Sequence, residues 1–137
     1  MKNYSHYNLD KQEPFIQQLA NEDKLTQPCF IGQGCTKRIG SDCYGYYIVA
    51  KKHVGRKVIW GIANANSVFG PGGWTDGNMY CSIDMSTAQP QHWIVAWGRT
   101  KTGEPKWWFC DENGKRCHGA LCRYGWNGAY AYQDPSF

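Results

Sequence analysis

An α+β domain is the fold class that the sequence predicts, and three features carry the prediction. A capped apolar stripe near the amino terminus reads as helix. Two apolar runs beyond residue 90 read as a strand hairpin, and 16 glycines imply many turns around them. With 137 residues the chain fits a single domain, 1–137, with a core large enough to bury roughly two-thirds of its unfolded surface. Seven Trp, nine Tyr and five Phe supply much of the core volume.

Taken in order, Asp10-Lys11-Gln12-Glu13 has the form of a capping box. Phe15, Ile16 and Leu19 follow at helical spacing, so a short helix is expected from about Lys11 to Asn21. Pro28 ends any continuation, and a Gly-rich loop through Gly32, Gly34 and Gly40 leads to Cys43. Tyr44 to Lys52 carries two signals. Tyr44, Tyr47, Ile48 and Lys51 share a helical face, whereas Tyr-Tyr-Ile-Val favours strand. Lys57 to Ala63 reads as a strand or a second short helix, and the Gly- and Asn-rich stretch from Asn64 to Asp84 as a long loop. His92 to Trp97 and Lys106 to Cys110 are strands joined in a hairpin by residues 99–105. The tail from Gly125 reads as an edge strand plus coil.

The formal charge is +4, and its basic residues are too dispersed to support a nucleic-acid partner. A mild positive charge suits an anionic polymer as readily as an ordinary solvated surface. Residues 1–10 show no secretory h-region, and no apolar run reaches membrane-spanning length. Synthesis in the cytoplasm is therefore expected, with export by a non-Sec route as a further option. Seven cysteines leave at least one thiol free in any fully paired scheme.

The chemistry-bearing set is Cys43, His92 and the cluster Asp111-Glu112-Asn113. A thiol needs a neighbouring imidazole to become a strong nucleophile, and that imidazole needs an acceptor to fix its tautomer. In a hairpin, the end of the second strand lies beside the start of the first, which sets Asp111 to Asn113 near His92. The bland alternatives are a buried structural thiol and a strand histidine held by packing. Cys29 and Cys35 flank Gln33 and are rival nucleophiles, with Gln33 as an oxyanion donor. Cys110, Cys117, His118 and Cys122 lack the close cysteine pair that grips zinc, so no metal or other cofactor is expected.

Ser41-Asp42-Cys43-Tyr44-Gly45-Tyr46-Tyr47 resembles the Asp-Cys-Ser-Gly-Phe/Tyr signature of NlpC-type peptidases. His92-Trp93-Ile94-Val95-Ala96-Trp97-Gly98 resembles their histidine strand. Gly61-Ile62-Ala63-Asn64-Ala65-Asn66 and Phe109-Cys110-Asp111-Glu112-Asn113 are similar to stretches of the CHAP amidases. The resemblance covers short islands between Ser41 and Asn113. It implies a papain-like fold with short amino-terminal helices, cleaving amide bonds in peptidoglycan peptides. Cys43 would be the nucleophile, His92 the base and Asp111 or Asn113 the orienter. Asn66, Trp74 and Gln33 would line the substrate groove. Such an amidase would resemble type VI secretion effectors or phage lysins, and an effector would have an immunity protein as partner.

A second reading belongs to another class. Trp74 in its Gly-rich loop, the pair Trp107-Trp108, and Trp126 with Tyr124, Tyr130 and Tyr132 suit sugar rings or a protein partner. On that reading the chain is a non-enzymatic binding protein, either an inhibitor or a carbohydrate-binding module. Core packing is the default role for most of these aromatics.

Overall fold

A computed structural model describes residues 25–135. Among them the fold is antiparallel β-sheet throughout, with no helix of seven or more residues. This overturns the α+β, papain-like expectation. The helix expected from Lys11 to Asn21 lies outside the described residues. The one helical piece is a single turn.

The strands are β1 (Gly34–Ile39), β2 (Asp42–Val54), β3 (Lys57–Asn64), β4 (Asn66–Phe69) and β5 (Asn78–Ser82). They continue as β6 (His92–Arg99), β7 (Pro105–Cys110), β8 (Arg116–Leu121) and β9 (Ala131–Tyr132), with the turn α1 (Gly73–Asp76) between β4 and β5. The sheet order is β4-β5-β9-β2-β3-β6-β7-β8, and β1 lies on the other edge of β2. The first two hairpins turn on Gly40-Ser41 and Gly55-Arg56. Each glycine has φ near +60°, and neither following residue has positive φ. That is the type II′ pattern, whose twist matches its flanking strands.

The sheet curls into a six-staved barrel. Leaving β8, the chain donates from Cys122 N to the Trp107 carbonyl at 2.8 Å. Three residues later it pairs with β1. Thr36 N donates to Gly125 O at 2.9 Å and Gly125 N to Thr36 O at 2.8 Å. The staves are therefore β1, β2, β3, β6, β7 and residues 116–128. Every second side chain points inward. Cys35, Ile48, Trp60, Ile62, Ile94, Trp107, Cys122, Tyr124 and Trp126 fill the interior as one buried cluster.

The strands β2 and β3 are buried on their outer face as well. Tyr47 and Ala63 pack with Cys81, Ile83 and Ala131, which belong to the layer of β5, β9 and the segment after β5. This bears on one open sequence reading and on two that the structure overturns. Tyr44 to Lys52 is strand; of the residues at helical spacing, Tyr47 and Ile48 are buried on opposite faces, Tyr44 and Lys51 are exposed, and a bulge lies between Ile48 and Ala50. After the bulge Lys51 stays exposed, with its ammonium 5.1 Å from the centre of the Trp60 ring opposite it. The expected loop from Asn64 to Asp84 holds β4, α1 and β5, and the Gly-rich loop before Cys43 holds β1.

Close approach of these layers makes two positions intolerant. A Cβ on Gly34 would lie 2.4 Å from Ala129 N, a backbone atom with nowhere to move. We expect Gly34→Ala to lose about 1–3 kcal/mol of unfolding free energy. Ile62→Ala, which opens a void in the barrel interior, should cost about 2–5 kcal/mol. Urea titrations followed by tryptophan fluorescence measure both, and a Gly34→Ala variant as stable as the wild type would contradict this packing.

Candidate functional site

The structure does not assemble the expected catalytic set. Cys43 lies on β2, opposite Arg38 on one side and Tyr132 on the other. His92 pairs with Ile62 on β3, which pairs with Ile48 on β2. Two strand spacings of about 4.8 Å separate the residues sideways, and five residues of about 3.3 Å separate them lengthwise. His92 instead rests on the edge of Phe109, with ring centres 5.2 Å apart. Among the described residues the only helical piece is the single turn Gly73–Asp76, and Cys43 itself lies within a strand rather than at a helix amino terminus.

The hairpin does form as read, with Trp93 opposite Cys110, so Asp111 follows beside the start of β6. Its carboxylate is engaged elsewhere. Asp111 Oδ1 accepts from the backbone amides of Asn113 and Lys115, each at 2.9 Å, and so caps its own turn. Asn113 is exposed in that turn, as is Glu112, whose carbonyl accepts from Lys52 Nζ at 3.1 Å.

Gln33 is not a free donor either. It is 1% exposed, and its amide group donates to the carbonyls of Gln27 and Trp126, both at 3.0 Å. Its oxygen accepts from the backbone of Cys29 and Phe30. It ties residues 27–30 to the closing stave.

Cys29, Cys35, Cys43, Cys110, Cys117 and Cys122 carry free thiols. Cys35 is fully buried in the barrel, and burial holds its thiol well above the ordinary range. Burial pushes Cys122 up to about 12. Burial, with the neighbouring Asp111 carboxylate and Cys117, pushes Cys110 up to about 11. Cys29 is also raised by burial. A thiolate nucleophile requires the opposite shift. Cys117 and His118 are exposed on β8 while Cys122 faces the core, and no metal-binding group of His, Cys, Asp or Glu forms among the described residues.

What the fold builds is a pair of adjoining cavities on either side of β9. The two share Cys43, Met79, Ala131 and Tyr132 as walls. They arise because the chain leaves β2 after Ala65, whose amide donates to the Gly45 carbonyl at 2.9 Å, whereas β9 joins the same edge of β2 only at Cys43. The first, about 330 Å³, includes Asp42, Asn64, Ser67 and Gln133 in its lining. The second, about 350 Å³, includes Asp76, Asn78, Tyr80 and Tyr130. Asn78 Nδ2 donates to Asp76 Oδ1 at 2.9 Å, so carboxylate and amide stand side by side. Trp74, two residues before Asp76 on α1, is 67% exposed at this end of the β4–β5 hairpin. Asn66 is exposed on β4, outside the lining of both cavities.

Sequence reading singled out Trp74, Tyr130 and Tyr132, named Asp76 with Asp84 only as weaker candidate acids, and missed Asn78 and Tyr80. An acid and an amide two residues apart, next to a Gly-Pro-Gly-Gly turn, were the available signal. Comparison with protein-family models, with curated proteins and with solved structures gives no match.

The buried thiols set a pH dependence. Folded Cys122 keeps its proton to about pH 12, whereas an unfolded thiol releases it near the ordinary value of 9.0. The folded state therefore binds that proton more tightly. Its stabilising effect is complete below pH 9 and is lost as the pH rises towards 12, by up to about 1.4 kcal/mol per pH unit for this thiol. Buried Cys35 acts in the same direction. Urea midpoints measured from pH 8 to 11 should fall, and less steeply in Cys122→Ala; a flat or rising series would contradict it.

Proposed function

We propose that the protein is a non-enzymatic binding module for a neutral carbohydrate, held in the cavity between the β4–β5 hairpin and β9. The observation that carries this reading is the pairing of a planar carboxylate and amide, Asp76 and Asn78, with Tyr80, Tyr130 and Tyr132 in one concave site. Sugar hydroxyls are matched by paired donors and acceptors of this kind. The apolar C–H faces of the ring are matched by aromatic faces. A volume of about 350 Å³ falls within the range of small-ligand pockets, at the end suited to one or two rings. Asp76 in the lining disfavours an anionic ligand, and Trp74 at the hairpin end offers a further stacking surface.

The amidase reading finds no comparable support, since the register holds Cys43 and His92 on non-neighbouring strands. Cys43 does border the proposed cavity, so the experiment must separate a wall from a nucleophile. A panel of neutral mono- and oligosaccharides, scanned by calorimetry, should yield a ligand. Asp76→Ala and Tyr132→Ala should each weaken it by about tenfold or more, the loss expected for a hydrogen bond to a charged group or for a ring contact. Cys43→Ser and His92→Ala should retain binding. Absence of binding across the panel would overturn the proposal, as would hydrolysis of peptidoglycan peptides that Cys43→Ala abolishes.

A further inference from the structure

The outer face of the barrel carries a group of side chains that the carbohydrate cavity does not use. Trp107 belongs to the interior cluster, so alternation along β7 turns Lys106, Trp108 and Cys110 outward. Cys110 shows that direction by packing with Ile59 and Val95 in a cluster of its own. Residues paired across an antiparallel ladder share a face, and Arg116 pairs with Cys110. Arg123 stands between the interior residues Cys122 and Tyr124, which places it outside as well.

Aromatic rings hold Arg116 in place. Its guanidinium carbon lies 4.8 Å from the centre of the Trp108 ring and 5.0 Å from that of Trp97. The two indoles are themselves tied, since Trp108 Nε1 donates to the Trp97 carbonyl at 2.8 Å. Trp97 nevertheless remains 55% exposed. Indoles standing together on an outer sheet face mark a contact surface, and Trp and Arg are the side chains on which interfaces concentrate their energy. The donors of a guanidinium lie in its plane, so contact with ring faces leaves them for a carboxylate, which they match as a fork. A side chain positioned beforehand also loses less entropy on binding.

The charge on this face is positive. Lys106 and Arg123 are exposed beside the indoles. The nearby acids lie in the turns at its two ends. They are Glu104 before β7, and Asp111 and Glu112 after it, with the Asp111 carboxylate engaged by its own turn. Cations beside bare indole complement carboxylates interspersed with planar side chains.

We infer that the outer face of β6, β7 and the closing stave docks an acidic, aromatic-containing segment of a partner protein, with one carboxylate forked on Arg116 and a planar side chain against Trp97. This face shares no residue with the carbohydrate cavity.

The test is fluorescence anisotropy of a labelled octapeptide of alternating Glu and Tyr, titrated with the full chain. The neutral octapeptide of alternating Gln and Tyr is the control. The acidic peptide should bind saturably, and the neutral one should bind about tenfold less tightly. Trp97→Ala alters an exposed side chain, spares the interior, and should weaken the acidic peptide by about tenfold or more. Arg116→Gln should do the same, and Arg116→Lys, which keeps the charge but not the fork, should recover only part of the loss. In ¹⁵N spectra the indole resonances of Trp97 and Trp108 should shift with the acidic peptide. Asp76→Ala should bind it as the wild type does, which separates this face from the carbohydrate cavity. No binding of the acidic peptide, equal affinity for the two peptides, or unchanged binding in Trp97→Ala and Arg116→Gln would each overturn the inference. An oligothymidylate that shifts the same indoles where the peptide does not would overturn it too, and would assign the face to single-stranded nucleic acid.

Discussion

The reciprocal hydrogen-bond pair between Thr36 and Gly125 is the contact on which the fold depends. Without it β1 and the strand after β8 would be open edges, and the large residues of the interior would face water through a slot. Closure removes those edges and turns one face of a sheet into a sealed core. Two side chains reinforce the seam from opposite sides. Inside, Gln33 holds the Trp126 carbonyl with its amide group fully engaged. Outside, Thr36 Oγ1 donates to the Gly128 carbonyl at 2.7 Å and accepts from Tyr130 N at 3.0 Å. A buried amide is tolerable only when all its polar atoms are satisfied, and Gln33 meets that condition.

The same closure explains the use of cysteine. A barrel of six staves leaves an interior that large side chains fill only if some positions carry small ones. Cys35 and Cys122 supply such positions among Trp60, Trp107 and Trp126. On the outer face Cys81 fits against Gly45, where a Cβ would meet its sulfur at 2.6 Å. These thiols act as small apolar groups, and their raised affinity for protons is a consequence of that burial.

Legibility in the sequence followed the range of the interactions. The β6–β7 hairpin was readable because its two apolar runs and the Gly-containing turn between them are local. β2 carried a strand signal in Tyr-Tyr-Ile-Val that competed with a helical spacing, because the strand is bulged between Ile48 and Ala50, whereas β1 lay hidden in what read as a Gly-rich loop. The seam joins residues 89 positions apart, and no local pattern announces it. The cysteine, histidine and acidic cluster appeared in catalytic order along the chain. Chain order does not fix distance across a sheet, and two strand spacings with an offset of five residues take His92 away from Cys43. Of the candidate cavity, the aromatics were visible as a class, whereas Asp76 and Asn78 became significant only once β9 was placed beside β5.

The openings beside β9 and at the seam share one cause. A β-sheet is sealed wherever a strand has continuous neighbours, and a gap appears where a neighbour departs before its successor arrives. On the edge of β2, the chain departs after Ala65 and β9 arrives opposite Cys43, which leaves the paired cavities. At the seam, β7 is released at Cys122 and β1 is reached by Gly125, which leaves a cleft. Strand forks of this kind expose side chains from the interior layer without exposing an edge ladder. They are therefore places where a closed barrel presents aromatic and polar groups to a ligand at little cost to its own stability. A catalytic dyad makes a different demand, because it needs two residues held in register on neighbouring elements. In this barrel the neighbours across each ladder are chiefly side chains that pack, and the polar groups beside β9 are those that the proposed carbohydrate would contact.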